Sequence, residues 1–228
     1  MEKINKKIKQ NQLKYNINKY VEYLSKQPKG FVYDDSEMKT ETKFEELQKL
    51  YSKFKNCQKC PLKDQGRTQV VFGDGNPNSK LMFIGEGPGR DEDLQGKPFV
   101  GRAGQLLTKI INSMNLKRED VYISNVVKCR PPNNRTPLPN ESETCKYLLL
   151  FKEIDIIQPK IICTLGSCAT KAILGDDIQI SKARGNFFTI KEKYLVMPTF
   201  HPAYLLRNPD SKKMVWQDMK KIIEKLQI

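Results

Sequence analysis

The sequence predicts an α/β protein whose parallel sheet is covered by helices on both faces. Four short segments are apolar and rich in residues that favour strands, at 81–85, 121–128, 160–166 and 194–200. Hydrophobic residues at helical spacing lie between the first three of them, over 103–114 and 143–157. Unbroken apolar strands that alternate with helices are typical of a parallel sheet buried on both sides.

The chain before the first strand divides into two parts. Residues 1–41 form a basic extension, in which apolar residues at helical spacing predict one amphipathic helix followed by a linker. A capping box, Thr42-x-x-Glu45, then opens a helix that carries Phe44 and Leu47 on one face. We therefore expect a boundary between this extension and a main domain at 42–228.

The last third of the chain supplies two further helices and a hairpin. Ser167 is expected to cap a short helix over 168–174, directly after the third strand. The segments 187–190 and 194–200, joined by a Lys-Glu-Lys turn, predict a hairpin into the fourth strand. Ser211 is expected to cap the final helix.

Composition limits the function classes. With 228 residues, the chain is long enough for one sizeable core. Its formal net charge of +14 favours a polyanionic partner such as nucleic acid, although lysine-rich residue usage would give the same excess. No apolar run approaches the ~20 residues that span a membrane, and no apolar stretch typical of a secretory signal follows the basic N-terminus. We expect a cytoplasmic protein with no membrane partner.

Six cysteines in a reducing compartment indicate metal ligation, catalysis or burial before disulfides. The pair Cys57-x2-Cys60 is followed by Cys129 and Cys145, both beside polar or proline-rich loops. Four thiolates suit either zinc or an iron–sulfur cluster, and spacing alone does not separate the two. Structural roles are expected for the other two cysteines, one in an apolar strand and one in a helix: Cys163 and Cys168.

The stretch 85–101 follows the first strand and is expected to be irregular throughout. It holds five glycines and two prolines, with acidic residues in the middle. Ligands bind at the carboxyl ends of the strands of a parallel sheet. The first strand ends at Glu86, the second at Asn125, and the fourth at the chain's only histidine, His201. These three side chains are therefore expected to converge on one edge of the sheet.

Several long motifs occur in order: GEGPGRDED, KPFVGRAG, SNVVKCRPPNNRTP and PTFHPAYLLR, with a further cysteine before the last. Together they resemble the family 4 uracil-DNA glycosylases, the iron–sulfur branch of the uracil glycosylase superfamily, over residues 44–227. The resemblance implies a three-layer α/β/α sandwich on a central four-stranded parallel sheet. It also implies a [4Fe-4S] cluster held by Cys57, Cys60, Cys129 and Cys145.

A sister branch of the superfamily traps DNA covalently through a histidine in a basic insert. The corresponding region here is SKARGNFF, at 181–188, which contains no histidine. The sequence therefore disfavours that branch. The cluster is expected to be structural, with redox sensing as the alternative.

The resemblance also implies an activity and roles for the site residues. The enzyme would flip uracil out of double- or single-stranded DNA and hydrolyse its N-glycosidic bond, which leaves an abasic site and starts base-excision repair. Phe99 would stack on the base and Asn125 would read its edge. His201 and the backbone at Gly87 would stabilise the uracil anion. Glu86 would position the attacking water and stabilise the cationic sugar, with Glu92 as a second acid.

DNA contacts are expected around the loop after the histidine. Leu205 and Leu206 would form a wedge that fills the gap left by the flipped base; the alternative is that they begin the core face of a helix. Arg207 follows this apolar tip as a cation that would also contact DNA. Four further basic residues are candidate phosphate contacts: Arg130, Arg135, Lys182 and Arg184. The protein is expected to act as a monomer. A non-catalytic iron–sulfur or zinc DNA-binding module on the same fold is the alternative function.

Overall fold

The computed structural model describes residues 41–227, so the predicted extension lies, except for its last residue, outside the described part of the chain. The α-helices of the described part are α1 (Lys43–Phe54), α2 (Arg90–Gln95), α3 (Arg102–Ser113), α4 (Pro139–Cys145), α5 (Phe151–Ile157), α6 (Gly166–Leu174), α7 (Ile180–Ala183), α8 (Pro202–Arg207) and α9 (Lys212–Leu226). None of these helices is long and apolar enough to cross a membrane.

One six-stranded sheet carries the fold. Its strands are β1 (Asp74–Gly75), β2 (Leu81–Gly85), β3 (Tyr122–Asn125), β4 (Ile161–Leu165), β5 (Phe188–Ile190) and β6 (Tyr194–Thr199). The order is β1-β3-β2-β4-β6-β5, and the four central strands run parallel. The α/β class and the four parallel strands are confirmed. The expected hairpin adds β5 as one antiparallel edge. The other antiparallel edge, β1, was not predicted, because it has only two residues and no apolar signal.

Both faces of the sheet are buried, which explains the unbroken apolar strands. Successive side chains of a strand point to opposite faces. In β2, Met82 and Ile84 pack in a core with α1, α5 and α6. Leu81 and Phe83 pack in a second core on the other face, with α3 and α9. The result is the three-layer arrangement of helices, sheet and helices.

Some helix boundaries differ from the predictions, at places where local sequence signals favour different structures. The capping box is confirmed, since the Thr42 hydroxyl and the Glu45 carboxylate each bond the other residue's backbone N–H. The stretch 85–101 is not irregular throughout, because α2 forms inside it at Arg90–Gln95. The expected helix at 143–157 begins at Pro139 and passes through a π-helical segment at Lys146–Leu150.

Two expected caps also differ. Helix α6 begins at Gly166, so Ser167 lies inside the helix and does not cap it. Ser211 precedes α9 as expected but makes no side-chain capping bond. The hairpin of β5 and β6 is confirmed, with Phe188 opposite Val196.

Candidate active site

The carboxyl ends of β2, β3 and β6 meet at one cavity of about 520 Å³. It is lined by loop residues after β2, by the end of β3, and by the start of α8. Eight of the residues singled out from the sequence line it: Glu86, Gly87, Glu92, Phe99, Asn125, Arg135, His201 and Arg207. The convergence expected for strand ends is therefore present.

Asn125 is the most buried of the polar residues that line the cavity. It ends β3, pairs in register with Gly85, and is 2 % exposed. Its Oδ1 is the one buried side-chain nitrogen or oxygen within residues 41–227 that has no hydrogen-bond partner. A Cβ on Gly85 would collide with this oxygen and with the ring of Phe99, so only glycine lets the strand end approach both. An orphan buried acceptor in a cavity is a site for a ligand's N–H.

Phe99 lies beside Asn125 in a backbone conformation that aromatic residues rarely adopt, with φ of 53°. Arg118 holds it there by donating to the carbonyls of Pro98, at 2.5 Å, and Phe99, at 3.0 Å. The ring of Phe99 is 5.6 Å, centroid to centroid, from the imidazole of His201. Such fixed strain is found at ligand-binding positions, where surrounding contacts hold the residue.

His201 precedes α8, and its Nδ1 accepts a hydrogen bond from the backbone N–H of Ala203 at 3.1 Å. A neutral ring must then carry its proton on Nε2, which leaves Nε2–H as the available donor. Burial, assisted by the charge of Arg207, lowers the pKa of His201 to about 4 and outweighs the opposing charge of Glu92. The side chain is therefore a neutral hydrogen-bond donor at physiological pH.

We expect an NMR titration of the folded protein to give His201 a pKa of about 4 instead of its ordinary 6.5. It is the only histidine in the sequence, so its ring signals need no assignment by mutation. Because the unfolded chain takes up this proton first, the free energy of unfolding should fall as the pH drops from 6.5 towards 4. The urea-unfolded protein is the control, and a folded-state pKa near 6.5 would contradict a buried neutral ring.

Glu86 follows β2 directly, and its backbone carbonyl accepts from Val127 N–H at 3.1 Å. Burial raises the pKa of its carboxyl group, while a hydrogen bond from Thr136 acts in the opposite direction. Its side chain lines the cavity with Asn125 and His201. A carboxylate in this position can orient a water molecule and oppose a positive charge.

Glu92 lines the cavity and also holds the loop after β2 together. Its carboxylate accepts three backbone N–H groups, from Gly89 at 3.1 Å, Val100 at 2.9 Å and Gly101 at 2.8 Å. These bonds join the two ends of the segment that contains α2. Three of about four acceptor positions of the carboxylate are used by the fold of the loop, so Glu92 acts there as a tether, whereas the side chain of Glu86 makes no such set of backbone bonds within residues 41–227.

Two expected DNA contacts are structural residues instead. Leu205 is 1 % exposed and packs in the core with α3 and α9, so it cannot form a wedge in this conformation. Arg184 binds both carboxylate oxygens of Asp218 and the carbonyl of Met214. Its guanidinium is therefore occupied inside the protein. The helix periodicity of α8 is the reason that Leu205 points inward while Leu206 is 39 % exposed.

The other four basic residues differ in their distance from the cavity, and two of them line it. Arg207 is exposed on its wall. Arg135 also lines it, but its guanidinium is paired with Glu141. Arg130 donates to Asn134 and lies in a neighbouring hollow of about 430 Å³ together with Arg90 and Arg102. Lys182 is exposed on α7 and does not line either cavity.

The four cysteines of the expected cluster come from separate parts of the fold and are neighbours in space. Cys57 and Cys60 follow α1, Cys129 follows β3, and Cys145 ends α4. The thiol of Cys129 interacts electrostatically with both Cys57 and Cys60, and that of Cys145 with Cys129 and Cys60. Burial raises the pKa of Cys129 to about 11 and that of Cys145 to about 12. Without a metal these two thiols are protonated at neutral pH.

The surroundings of the four cysteines suit thiolate ligands. Arg67 donates to Cys129 Sγ at 2.7 Å and to the carbonyl of Cys57 at 2.5 Å. The backbone N–H of Lys128 donates to Cys145 Sγ at 3.2 Å. Across residues 41–227, no three His, Cys, Asp or Glu side chains are placed to hold a single metal ion.

Sequence reasoning missed several residues that position the site. Arg118 fixes the loop that carries Phe99, Arg67 contacts the cysteine group, and Thr136 bonds Glu86. An arginine or threonine in a polar segment gives no periodic signal. Only the position of Arg67, seven residues after Cys60, could have suggested a partner for a thiolate.

Comparisons with known proteins show the family of this chain. A family model described as the uracil DNA glycosylase superfamily matches residues 72–226. A type-4 uracil-DNA glycosylase of Thermotoga maritima is 48% identical over 181 residues, covering 78% of this chain and 93% of the relative. That of Archaeoglobus fulgidus is 41% identical over 187 residues, covering 79% and 93%. A type-5 uracil-DNA glycosylase of Pyrobaculum aerophilum is 32% identical over 124 residues, covering 48% and 53%. The chain belongs to the uracil-DNA glycosylase superfamily and, within it, to the type-4 family.

Proposed function

We propose that this protein is a monofunctional uracil-DNA glycosylase that starts base-excision repair and leaves an abasic site. One observation carries the proposal: the buried, unpartnered Oδ1 of Asn125 beside the ring of Phe99. Glu86 and His201 line the same cavity. The family and its type-4 relatives support the same activity.

The cavity can read a pyrimidine by its ring face and its edge. The Oδ1 of Asn125 would accept N3–H of uracil while its NH₂ group donates to O4, and Phe99 would stack on the ring. Cytosine presents an acceptor at N3 and donors at N4, so the same amide is mismatched. A site built on such hydrogen bonds can discriminate by ~10⁴-fold, because the wrong base leaves buried polar groups unpaired.

The reaction places opposite charges on the base and the sugar. As the N-glycosidic bond breaks, the uracil becomes an anion, and Nε2–H of His201 would donate to its O2. Backbone N–H groups near Gly87 would add to this donor. The sugar becomes cationic, and the carboxylate of Glu86 would stabilise it and orient the attacking water. That water then supplies the hydroxyl of the abasic site.

A uracil-release assay tests the proposal. Purified protein should excise uracil from a U·G duplex and from single-stranded DNA, and leave the matched thymine oligonucleotide intact. Strand cleavage should appear only after alkali, as expected for a monofunctional enzyme. DNA binding without any uracil release would favour the alternative of a non-catalytic DNA-binding module.

We also propose that Cys57, Cys60, Cys129 and Cys145 hold a [4Fe-4S] cluster. Three observations support this assignment. The four cysteines are close to one another, and Arg67 and Lys128 donate hydrogen bonds to two of their sulfurs. The cysteines also come from three different parts of the chain. When bound, the cluster would act as a covalent cross-link. It would join the segment after α1 to the loop after β3 and to α4, next to the cavity.

Anaerobically purified protein should be brown, with absorbance near ~400 nm and about four irons per chain. The substitution Cys145→Ala should abolish this absorbance, because it removes one of the four thiolates. The matched control is Cys168→Ala, since that cysteine lies in α6 and should leave the iron content unchanged. A colourless protein that contains zinc would refute the cluster.

The two leucines of α8 should separate folding from DNA binding. Leu205→Ala is expected to lower the free energy of unfolding by about 2–5 kcal/mol, since the side chain fills the core. Leu206→Ala should leave stability within about 0.5 kcal/mol of the wild type but weaken uracil excision from duplex DNA more than from single strands. Urea unfolding and the two excision rates measure this. Equal excision losses on both substrates would exclude Leu206 as the wedge.

A further inference from the structure

A lysine lies fully buried directly behind the recognition residue. Lys128 and Glu153 each have side chains with 0% exposure, and Lys128 Nζ is 2.6 Å from Glu153 Oε2. The same Nζ donates to the hydroxyl of Ser124 and, at 2.8 Å, to the backbone carbonyl of Asn125. All three N–H groups of the ammonium therefore have acceptors, and two of those acceptors belong to the end of β3.

The partner carboxylate is equally well occupied. Glu153 accepts from the hydroxyls of Ser124, at 2.7 Å, and Tyr51, at 2.9 Å, and from the backbone N–H of Gly73, at 3.3 Å. The Tyr51 hydroxyl also contacts that of Tyr122 in β3. The network thus joins α1, β3, α5 and the segment before β1 around one ion pair.

Stability alone is a poor reason for such a pair. Removing two charges from water costs several kcal/mol per ion, and apolar residues of similar volume often serve a core as well or better. A buried pair with all its donors and acceptors matched can instead fix a geometry. Here the fixed group is the Asn125 carbonyl, where β3 leaves the regular sheet.

The segment held by Lys128 also bears on the catalytic acid. After Asn125, the backbone N–H of Val126 bonds the carbonyl of Gly85 at 2.9 Å. The N–H of Val127 bonds the carbonyl of Glu86 at 3.1 Å. A shift of the 124–128 segment would therefore move the recognition amide and the backbone of Glu86 together.

We propose that Lys128 and Glu153 are positioning residues that set the specificity of this enzyme for uracil, an inference that rests on the proposed function. The ion pair fixes the peptide group after Asn125 and thereby the direction of its amide. Because a misplacement of about 1 Å can cost about 10²-fold in rate, a rigid support is needed to keep the amide aligned. Neither residue lines the cavity itself, and Lys128 bonds the backbone carbonyl of Asn125, so both act through Asn125.

A double variant, Lys128→Met with Glu153→Met, tests the proposal. Either single substitution would leave one buried charge uncompensated. The protein would then unfold, and the loss of activity would say nothing about the position of Asn125. The double variant removes both charges and should fold. Its kcat/KM for uracil should fall by about 10²-fold, and its preference for uracil over cytosine should fall by at least about tenfold. An unchanged preference would overturn the proposal.

The matched control is Thr164→Val with Thr170→Val, which removes another fully buried polar pair, joined at 2.9 Å. It lies between β4 and α6 and should leave both kinetic values within about twofold of the wild type. If this control lowers the uracil preference as much as the double methionine variant does, the effect comes from the loss of any buried polar pair. The proposal would then fail.

A second readout does not depend on catalysis. In ¹⁵N-labelled protein the side-chain NH₂ of Asn125, assigned by its loss in Asn125→Asp, should give one sharp pair of signals in the wild type and in the threonine control. In the double methionine variant the pair should shift and broaden. An unshifted, sharp pair would overturn the positioning role. Were the wild type to release no uracil, the proposed function would fail, and this signal would still decide whether the pair positions the amide.

Discussion

Replacing Asn125 with aspartate should reduce the preference for uracil over cytosine by about 10²-fold or more. A carboxylate cannot donate a hydrogen bond to O4 of uracil. In a buried site its negative charge is also not neutralised by the single N–H at N3 of the base. A protonated carboxyl group, favoured by burial, can donate to N3 of cytosine. The measurement is kcat/KM for base release from otherwise identical oligonucleotides that contain uracil or cytosine.

The control for this variant is Asn112→Asp, the same change on an exposed residue of α3. It should leave both rates as in the wild type. If Asn125→Asp keeps the original preference, the amide does not read the base edge, and the orphan Oδ1 must serve another purpose.

Replacing Glu86 with glutamine should lower kcat by about 10²–10⁴-fold. The amide keeps the shape of the side chain, so folding should be unaffected, but it cannot stabilise a cationic sugar or polarise the attacking water. Because burial raises the pKa of Glu86, wild-type activity should decline on the acid side as this carboxylate is protonated. That decline should be absent from the residual activity of the variant.

An exposed glutamate provides the matched control, since Glu119→Gln should leave kcat unchanged. Glu92→Gln offers a sharper comparison: its carboxylate is a tether for three backbone N–H groups, so its main loss should be in stability. If Glu92→Gln abolishes catalysis while Glu86→Gln stays active, the two roles have been exchanged.

The convergence of Glu86, Asn125 and His201 could be predicted from the sequence. Each lies at the end of an apolar segment, and the carboxyl ends of parallel strands share one edge of a sheet. Phe99 was found through its motif and not through any periodicity. The Thr42 cap was predictable because a capping box is a local pattern of two residues three apart.

Other roles depended on contacts between distant parts of the chain. Glu92 and Glu86 look alike in the sequence, and only the backbone N–H groups around Glu92 reveal it as a tether. From the sequence, Arg184 is a candidate phosphate contact. Only the structure shows that its guanidinium is bound by Asp218, 34 residues away. Leu205 and Leu206 are adjacent and chemically identical, so only the packing of α8 tells the core residue from the exposed one.

By itself the sequence determined the α/β class, the parallel central strands and the stretch at 85–101 as the centre of the site, because hydrophobic period and strand-end position are local properties. The tertiary structure decided which acid ties the loop together, which leucine is buried, and that Lys128 bonds the backbone carbonyl of Asn125. Those outcomes depend on which groups satisfy each buried donor, acceptor and charge. The partners come from distant segments, so their pairing exists only once the chain has folded.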